Sequence, residues 1–208
     1  MKWTRVVFLI LLIVLLNVSI SSAFNLLGIS WGYYNKDLLP EDFAGTSSDR
    51  IFNPYIGGNL AGGEVFYIGG AYNNIKLSEN GQDAELYGRI LQVYAGFRYY
   101  MMPHKKGLTS PYVVTELFKS YTKIEQKNQT TYNSEDINYL KKLYQPWGFS
   151  AGIGIDYTIS APFFIGLETG LRWSFAKPKA NNGNVFGTRS ENLREIRLYS
   201  IIHIDFSW

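Results

Sequence analysis

Cysteine is absent from this chain, and histidine occurs only at His104 and His203. Without cysteine there can be no disulfide framework, lipoprotein anchor, thiol catalysis or Cys-based zinc site. A small exported domain usually relies on disulfides, so its stability must come from elsewhere. Closing a sheet on itself inside a bilayer is one such source. Charge of one sign is also lacking. The 20 Lys and Arg are interspersed with 17 Asp and Glu, which gives no case for nucleic-acid binding. No P-loop, HExxH or EF-hand pattern occurs. Gly152-x-Gly154 lies inside a strand pattern with no helix after it, as a dinucleotide fingerprint would need. No cofactor, resident metal or catalytic residue is therefore expected. Glu135 and Asp136 could at most hold a cation weakly.

Long apolar runs are confined to the start. Lys2 and Arg5 precede the unbroken apolar stretch Val6–Leu16, and Ser21-Ser22-Ala23 supplies small residues. This three-part pattern predicts a signal peptide over residues 1–23, cut after Ala23. Removing Lys2 and Arg5 leaves the mature chain close to neutral. No later segment approaches the ~20 apolar residues of a membrane-spanning helix.

What is abundant is aromatic residues and glycine: 16 Tyr, 13 Phe and 20 Gly. After residue 23 apolar side chains recur every second position rather than every 3.6, the period of a strand. Eight strands are predicted, at about 24–34, 51–61, 64–77, 85–101, 108–124, 146–159, 163–176 and 193–208. The sixth places Trp147, Phe149, Ala151, Ile153, Ile155, Tyr157 and Ile159 on one face. The seventh places Phe163, Ile165, Leu167, Thr169, Leu171, Trp173 and Phe175 on one face. The last sets Ile196, Leu198, Ile202, Ile204, Phe206 and Trp208 against Arg197, Tyr199, His203, Asp205 and Ser207. The second and third strands are ambiguous in phase.

Alternation alone does not distinguish water from lipid as the solvent. The connections do. Those at 35–50, 78–84, 125–145 and 177–192 are long and polar. Those at Gly62-Gly63, Pro103–Gly107 and Ser160–Pro162 are short. Strict alternation of long and short connections is the pattern of a transmembrane barrel, with long loops outside and short turns in the periplasm. The expected fold is all-β, an eight-stranded antiparallel up-and-down transmembrane β-barrel over residues 24–208. Within the 125–145 loop a helix is expected near Ser134, with Ile137, Leu140 and Tyr144 at helical spacing.

The apolar face would then meet lipid, with Trp31, Tyr33, Tyr121, Trp147, Trp173 and Phe175 at the outer interface. Tyr99, Tyr157, Phe163, Phe206 and Trp208 would lie at the periplasmic one. The opposite face carries Arg98, Glu116, Asp156, Glu168, Arg172, Arg197, His203 and Asp205, a predicted polar network inside the lumen. If Ile159 lies opposite Phe163, Gly154 faces Glu168, Asp156 faces Gly166 and Ser150 faces Arg172. Each charged side chain then meets a small partner, as small barrels require. His203 and Asp205 share this face, and a His–Asp relay to Ser207 or to a distant serine is the catalytic alternative to a structural network. His104, in Pro103-His104-Lys105-Lys106-Gly107, reads as part of a solvated turn.

These features, ending in Ile204-Asp205-Phe206-Ser207-Trp208, resemble the small outer-membrane β-barrel families. The chain is similar to the OmpA/OmpX-like class and to the porin-like outer membrane protein beta-barrel domain family. The resemblance implies a place in the outer membrane of a Gram-negative bacterium, with both mature termini periplasmic. It also implies that Trp208, Phe206, Ile204 and Ile202 form the signal read by the outer-membrane assembly machinery, with Ser200 a departure from the apolar series. The expected partners are outer-membrane lipid, that machinery and an extracellular ligand held by the loops. The expected role is structural or surface interaction through the four long loops. The alternatives are a narrow channel for small solutes and a lipid-modifying enzyme.

Overall fold

The computed structural model describes residues 25–34, 43–47, 51–59, 63–79, 85–126, 134–160, 162–177 and 193–208. The predicted signal peptide and the greater part of the 35–50, 78–84 and 177–192 loops lie outside them.

The strands are β1 (Leu26–Tyr34), β2 (Phe43–Ser47), β3 (Ile51–Asn59), β4 (Glu64–Glu79), β5 (Glu85–Tyr100), β6 (Thr109–Gln126), β7 (Trp147–Ser160), β8 (Phe163–Ala176) and β9 (Leu193–Ser207). Among the described residues one helix, α1 (Ser134–Leu143), lies between β6 and β7. Every neighbouring pair is antiparallel. The sheet closes because β1 pairs with both β3 and β9, while β4 pairs with both β3 and β5. Closure removes the unpaired edges that an open sheet would expose.

Nine strands make eight staves. β2 pairs with Ile75–Glu79 of β4, directly beyond the stretch that β3 pairs with, and runs in the same direction as β3. The two form one stave, interrupted at 48–50. The expectation that 35–50 is wholly loop is corrected here: β4 overhangs the end of β3, and its unpaired backbone groups recruit a second segment.

The polarity of the two faces is inverted relative to a water-soluble protein. Ile153, Leu167, Leu171, Ile196, Leu198 and Ile202 point outward and are exposed, while Arg98, Asp156, Glu168, His203 and Asp205 are buried inside. β4, one of the strands of uncertain phase, sends Val65, Tyr67 and Ala71 inward and Phe66 and Tyr72 outward.

The β7–β8 register places Gly154 opposite Glu168, Asp156 opposite Gly166 and Ser150 opposite Arg172. The starting pair proposed from the sequence is not the one found. Ser160, not Ile159, lies opposite Phe163, because a bulge after Thr158 inserts one extra residue at the turn.

Glycines make room for the aromatic rings of the interior. Tyr55 lies opposite Gly28, Tyr94 opposite Gly69, Tyr67 opposite Gly96, Tyr112 opposite Gly154 and Phe118 opposite Gly148. At Gly154 a β-carbon would run into the ring of Tyr112, and at Gly28 into the ring of Tyr55. Each ring lies flat over the neighbouring stave instead of projecting across the lumen. Gly154→Val should therefore destabilise the barrel by about 1–3 kcal/mol, the usual cost of overpacking. Urea unfolding in detergent would measure this, and an unchanged midpoint would show that Tyr112 moves aside freely.

Candidate functional site in the barrel lumen

The centre of the lumen is a network of side chains from seven staves. Arg98 on β5 is its hub. Its Nη1 donates to Asp205 Oδ2 at 2.8 Å, its Nη2 donates to the Tyr55 hydroxyl at 3.2 Å, and its Nε lies 3.7 Å from Glu168 Oε2. Its guanidinium carbon sits 4.9 to 5.3 Å from the ring centres of Tyr55, Tyr67 and Tyr112. Charge pairing and cation–π contact both strengthen when water is excluded. His203 on β9 is the second centre. Its Nδ1 lies 3.2 Å from Asp205 Oδ2 and its Nε2 lies 3.0 Å from Asp156 Oδ1. The Tyr112 hydroxyl stands 2.9 Å from the same Nε2. Tyr55 donates to Asp205, Tyr100 to Asp156 at 2.7 Å, and Tyr199 to Glu168 at 3.0 Å.

Five of the eight predicted network residues meet here: Arg98, Asp156, Glu168, His203 and Asp205. Glu116, Arg172 and Arg197 lie nearer the end of the barrel that carries α1. Glu116 accepts from the Tyr67 hydroxyl at 3.4 Å. Arg172 stacks on Phe118, its guanidinium carbon 3.5 Å from the ring centre. Arg197 lies opposite Arg172 in the β8–β9 ladder and within electrostatic reach of Tyr144 at the loop end. Burial pushes the Tyr144 phenol above its ordinary range, and Arg197 opposes that shift. Between the central network and the loop end lies a cavity of about 10 Å³, lined by Ser30, Asn53, Gln92 and Glu116 among others. It has room for about one water.

His104 lies in a turn whose other residues are exposed, but its own ring is only partly so. Its ring packs between Tyr100 and Phe164, with centroids at 4.3 and 4.4 Å, and its Nε2 faces Asp156 Oδ2 at 3.6 Å. The turn folds back under the lumen, where the Gly107 amide donates to the Thr158 carbonyl at 2.9 Å. At the other end α1 buries Asp136, Tyr139, Leu140 and Leu143, a face rotated from the predicted Ile137, Leu140 and Tyr144. Burial of Asp136 also removes it from the weak cation site considered with Glu135. The chain leaving α1 is tied to β6 by Thr122 donating to the Tyr144 carbonyl, Gln145 donating to the Thr122 carbonyl and Lys119 donating to the Gln145 carbonyl.

No protein-family model and no curated protein sequence matches this chain. Solved structures do. The solution structure of Escherichia coli outer membrane protein W superposes with a TM-score of 0.53 at 11% identity, over 90% of this chain and 99% of that one. The N-terminal β-barrel domain of Pseudomonas aeruginosa OprF gives 0.44 at 12% identity, over 90% and 100%. Neisserial surface protein A gives 0.40 at 11% identity, over 90% and 99%. The fold is that of a small outer-membrane β-barrel. Among the described residues no helix is long and apolar enough to cross a membrane.

The outer surface of this outer-membrane barrel fold carries aromatics at both rims. Trp31, Tyr121 and Trp147 are exposed at the loop end, where Trp147 stacks on Phe175 and Phe149 on Trp173, each at 4.8 Å. Tyr99, Tyr157, Phe163 and Trp208 are exposed at the turn end, with Phe206 between Phe163 and Trp208 at 5.0 and 5.9 Å. Tyr33, assigned to the outer rim from the sequence, has no described side chain. Ile202, Ile204, Phe206 and Trp208 form one outward stripe on β9 and the residue after it. Ser200 continues the stripe, its hydroxyl 3.2 Å from that of Thr169.

The lumen of the barrel fold supports neither metal binding nor a relay well. Ligand atoms of Asp156, His203 and Asp205 lie within 4.8 Å of one another, a spacing that could hold an ion. Arg98 already occupies Asp205, and both ring nitrogens of His203 already face carboxylates. The partners of His203 are two carboxylates and two phenols, and Ser207 is not among them. Sequence reasoning missed His104 and the inward tyrosines 55, 67, 100 and 112. The usable signal was the glycine facing Tyr55, Tyr67 and Tyr112.

Proposed function

We propose that this protein is an integral outer-membrane barrel with a closed lumen, acting as a rigid scaffold whose long-loop end makes contacts outside the cell. Both mature termini and the short turns face the periplasm, and the outward stripe Ile202, Ile204, Phe206 and Trp208 is the surface that the assembly machinery engages. The observation that carries this reading is the filled lumen. Arg98 and His203 are almost wholly buried at its centre, and the space beside them is about 10 Å³. An eight-stranded barrel has an interior just wide enough for side chains to fill, and here tyrosines over glycines fill it. The rigid wall leaves the loops as the place for specificity. Among the described residues the partners of His203 are two carboxylates and two phenols rather than a serine, which favours a structural rather than an enzymatic role.

Planar-bilayer recording tests this reading. The purified barrel should insert without stepwise conductance in molar potassium chloride. Regular, uniform conductance steps would reverse the assignment in favour of a narrow channel.

A further inference from the structure

The inward tyrosines Tyr55, Tyr67, Tyr100 and Tyr112 are buried, and filling space does not by itself account for the placement of their hydroxyls. Each phenol reaches a carboxylate. Tyr55 donates to Asp205, Tyr67 to Glu116 at 3.4 Å, Tyr100 to Asp156 at 2.7 Å and Tyr112 to Glu168 at 3.2 Å. A phenol that loses an electron becomes strongly acidic and must release its proton. Away from water that proton needs a base already in contact, and a hydrogen-bonded carboxylate is one.

The rings also form a continuous series. Tyr100 lies 5.0 Å from Tyr112, and Tyr55 lies 5.3 Å from Tyr67, centre to centre. His203 joins the two pairs, since the Tyr112 hydroxyl stands 2.9 Å from its Nε2 and the Tyr55 hydroxyl 3.2 Å from its Nδ1. At the turn end Tyr100 packs 4.3 Å from His104, whose side chain is 24% exposed. The series thus runs from a ring that touches solvent to Glu116 in the interior. Electron tunnelling falls steeply with distance, so steps between rings in contact outpace a single jump along the lumen.

We propose that Tyr67, Tyr55, Tyr112 and Tyr100, bridged by His203, form a relay for one-electron oxidation that drains oxidising equivalents from the lumen to the turn end. An oxyl radical takes one electron and leaves as its anion. The tyrosine that supplies the electron passes its phenolic proton to its carboxylate and becomes a neutral phenoxyl. The next tyrosine refills it, and the proton returns from the carboxylate. At the turn end a small thiol supplies the last electron through the His104 contact and is left as a thiyl radical, its own proton going to water.

The test uses the full barrel in detergent micelles and drives the relay inward from the turn. Lys105 is exposed in a chain without cysteine, so Lys105→Cys carries a single ruthenium polypyridyl photo-oxidant. An aminotyrosine in place of Tyr67 is an easily oxidised trap that makes inward transfer downhill. A flash with an electron-accepting quencher should yield the aminotyrosyl radical, read by electron paramagnetic resonance. Tyr112→Phe, with folding checked by circular dichroism, should abolish it. A fluorinated tyrosine in place of Tyr112, which keeps ring and hydroxyl but is harder to oxidise, should slow its formation, and so should heavy water. Tyr99→Phe with Tyr157→Phe, two exposed rings of the turn end, should leave it unchanged. Absence of the trapped radical in the otherwise native barrel would overturn the relay. So would an unchanged rate with the fluorinated ring or in heavy water, persistence of the radical in folded Tyr112→Phe, or its loss in the Tyr99/Tyr157 variant.

Discussion

Arg98→Met should cost the folded barrel about 3–5 kcal/mol, the range expected when one partner of a buried charge pair is removed. The physical reason is what remains behind. Arg98 pairs with Asp205 at 2.8 Å and lies 3.7 Å from Glu168. Without the guanidinium, two carboxylates stay buried near one another, and three tyrosine rings lose the cation they surround. Methionine fills part of the volume, so the loss is mainly electrostatic rather than cavity formation. The intact network need not be more stable than an apolar filling, since desolvating ions is itself costly. A half-dismantled network is the unfavourable state. Asp205→Asn in the same background should therefore recover part of the loss, a coupling that a double-mutant cycle in urea would read. A cost below about 1 kcal/mol for Arg98→Met would mean that the lumen admits water freely and that the network is loosely held.

Ile153→Arg should destabilise the inserted barrel by about 2–4 kcal/mol, the midplane cost of a cation on a lipid-facing strand. Ile153 is 63% exposed and lies midway along β7. In a water-soluble sheet the same exposed position would accept arginine within about ±0.5 kcal/mol. The two solvents thus predict different results from one substitution. Tyr121→Arg, at the loop-end rim, should cost about 0–1 kcal/mol, because the penalty falls away toward the interface. Equal effects at the two positions would argue against a bilayer around the belt.

The wall of the barrel was legible in the sequence because its rule is local. Period-two alternation on β7, β8 and β9 follows from one face meeting lipid and the other meeting side chains, and the short turns fixed which residues face each other. Gly154 opposite Glu168 was reached from a supposed pairing of Ile159 with Phe163, and that register holds although Ser160 is the residue opposite Phe163. The bulge after Thr158 could not, since it shifts one pair without disturbing the pattern beyond it. β2 was missed for a different reason. Five residues, Phe43–Ser47, gain strand character only because β4 extends beyond β3, with partners 28 to 36 residues away. His104 was misread because its neighbours in sequence, Pro103, Lys105 and Lys106, are those of a solvated turn. The groups that hold it, Asp156 and Phe164, arrive from β7 and β8. The inward tyrosines 55, 67, 100 and 112 carry no charge to mark the lumen face, and the second and third predicted strands were ambiguous in phase. A tyrosine whose register partner is glycine, as Tyr55 is with Gly28 and Tyr112 with Gly154, belongs inside.

The central claim is that the apolar face of this sheet meets lipid and the charged face meets only other side chains. Absence of cysteine allows single spin labels to be placed along β7 and β8. Labels replacing Ile153, Ile155, Leu167 and Leu171 in bilayer-inserted protein should collide readily with oxygen and poorly with a polar nickel chelate. Labels replacing Ser150, Thr158 and Ser174 should collide poorly with both. The account predicts that oxygen accessibility oscillates with a period of two along each strand and peaks at the outward residues. Accessibility of the outward labels to the nickel chelate, equal to that of a label on the Lys105–Lys106 turn, would contradict it.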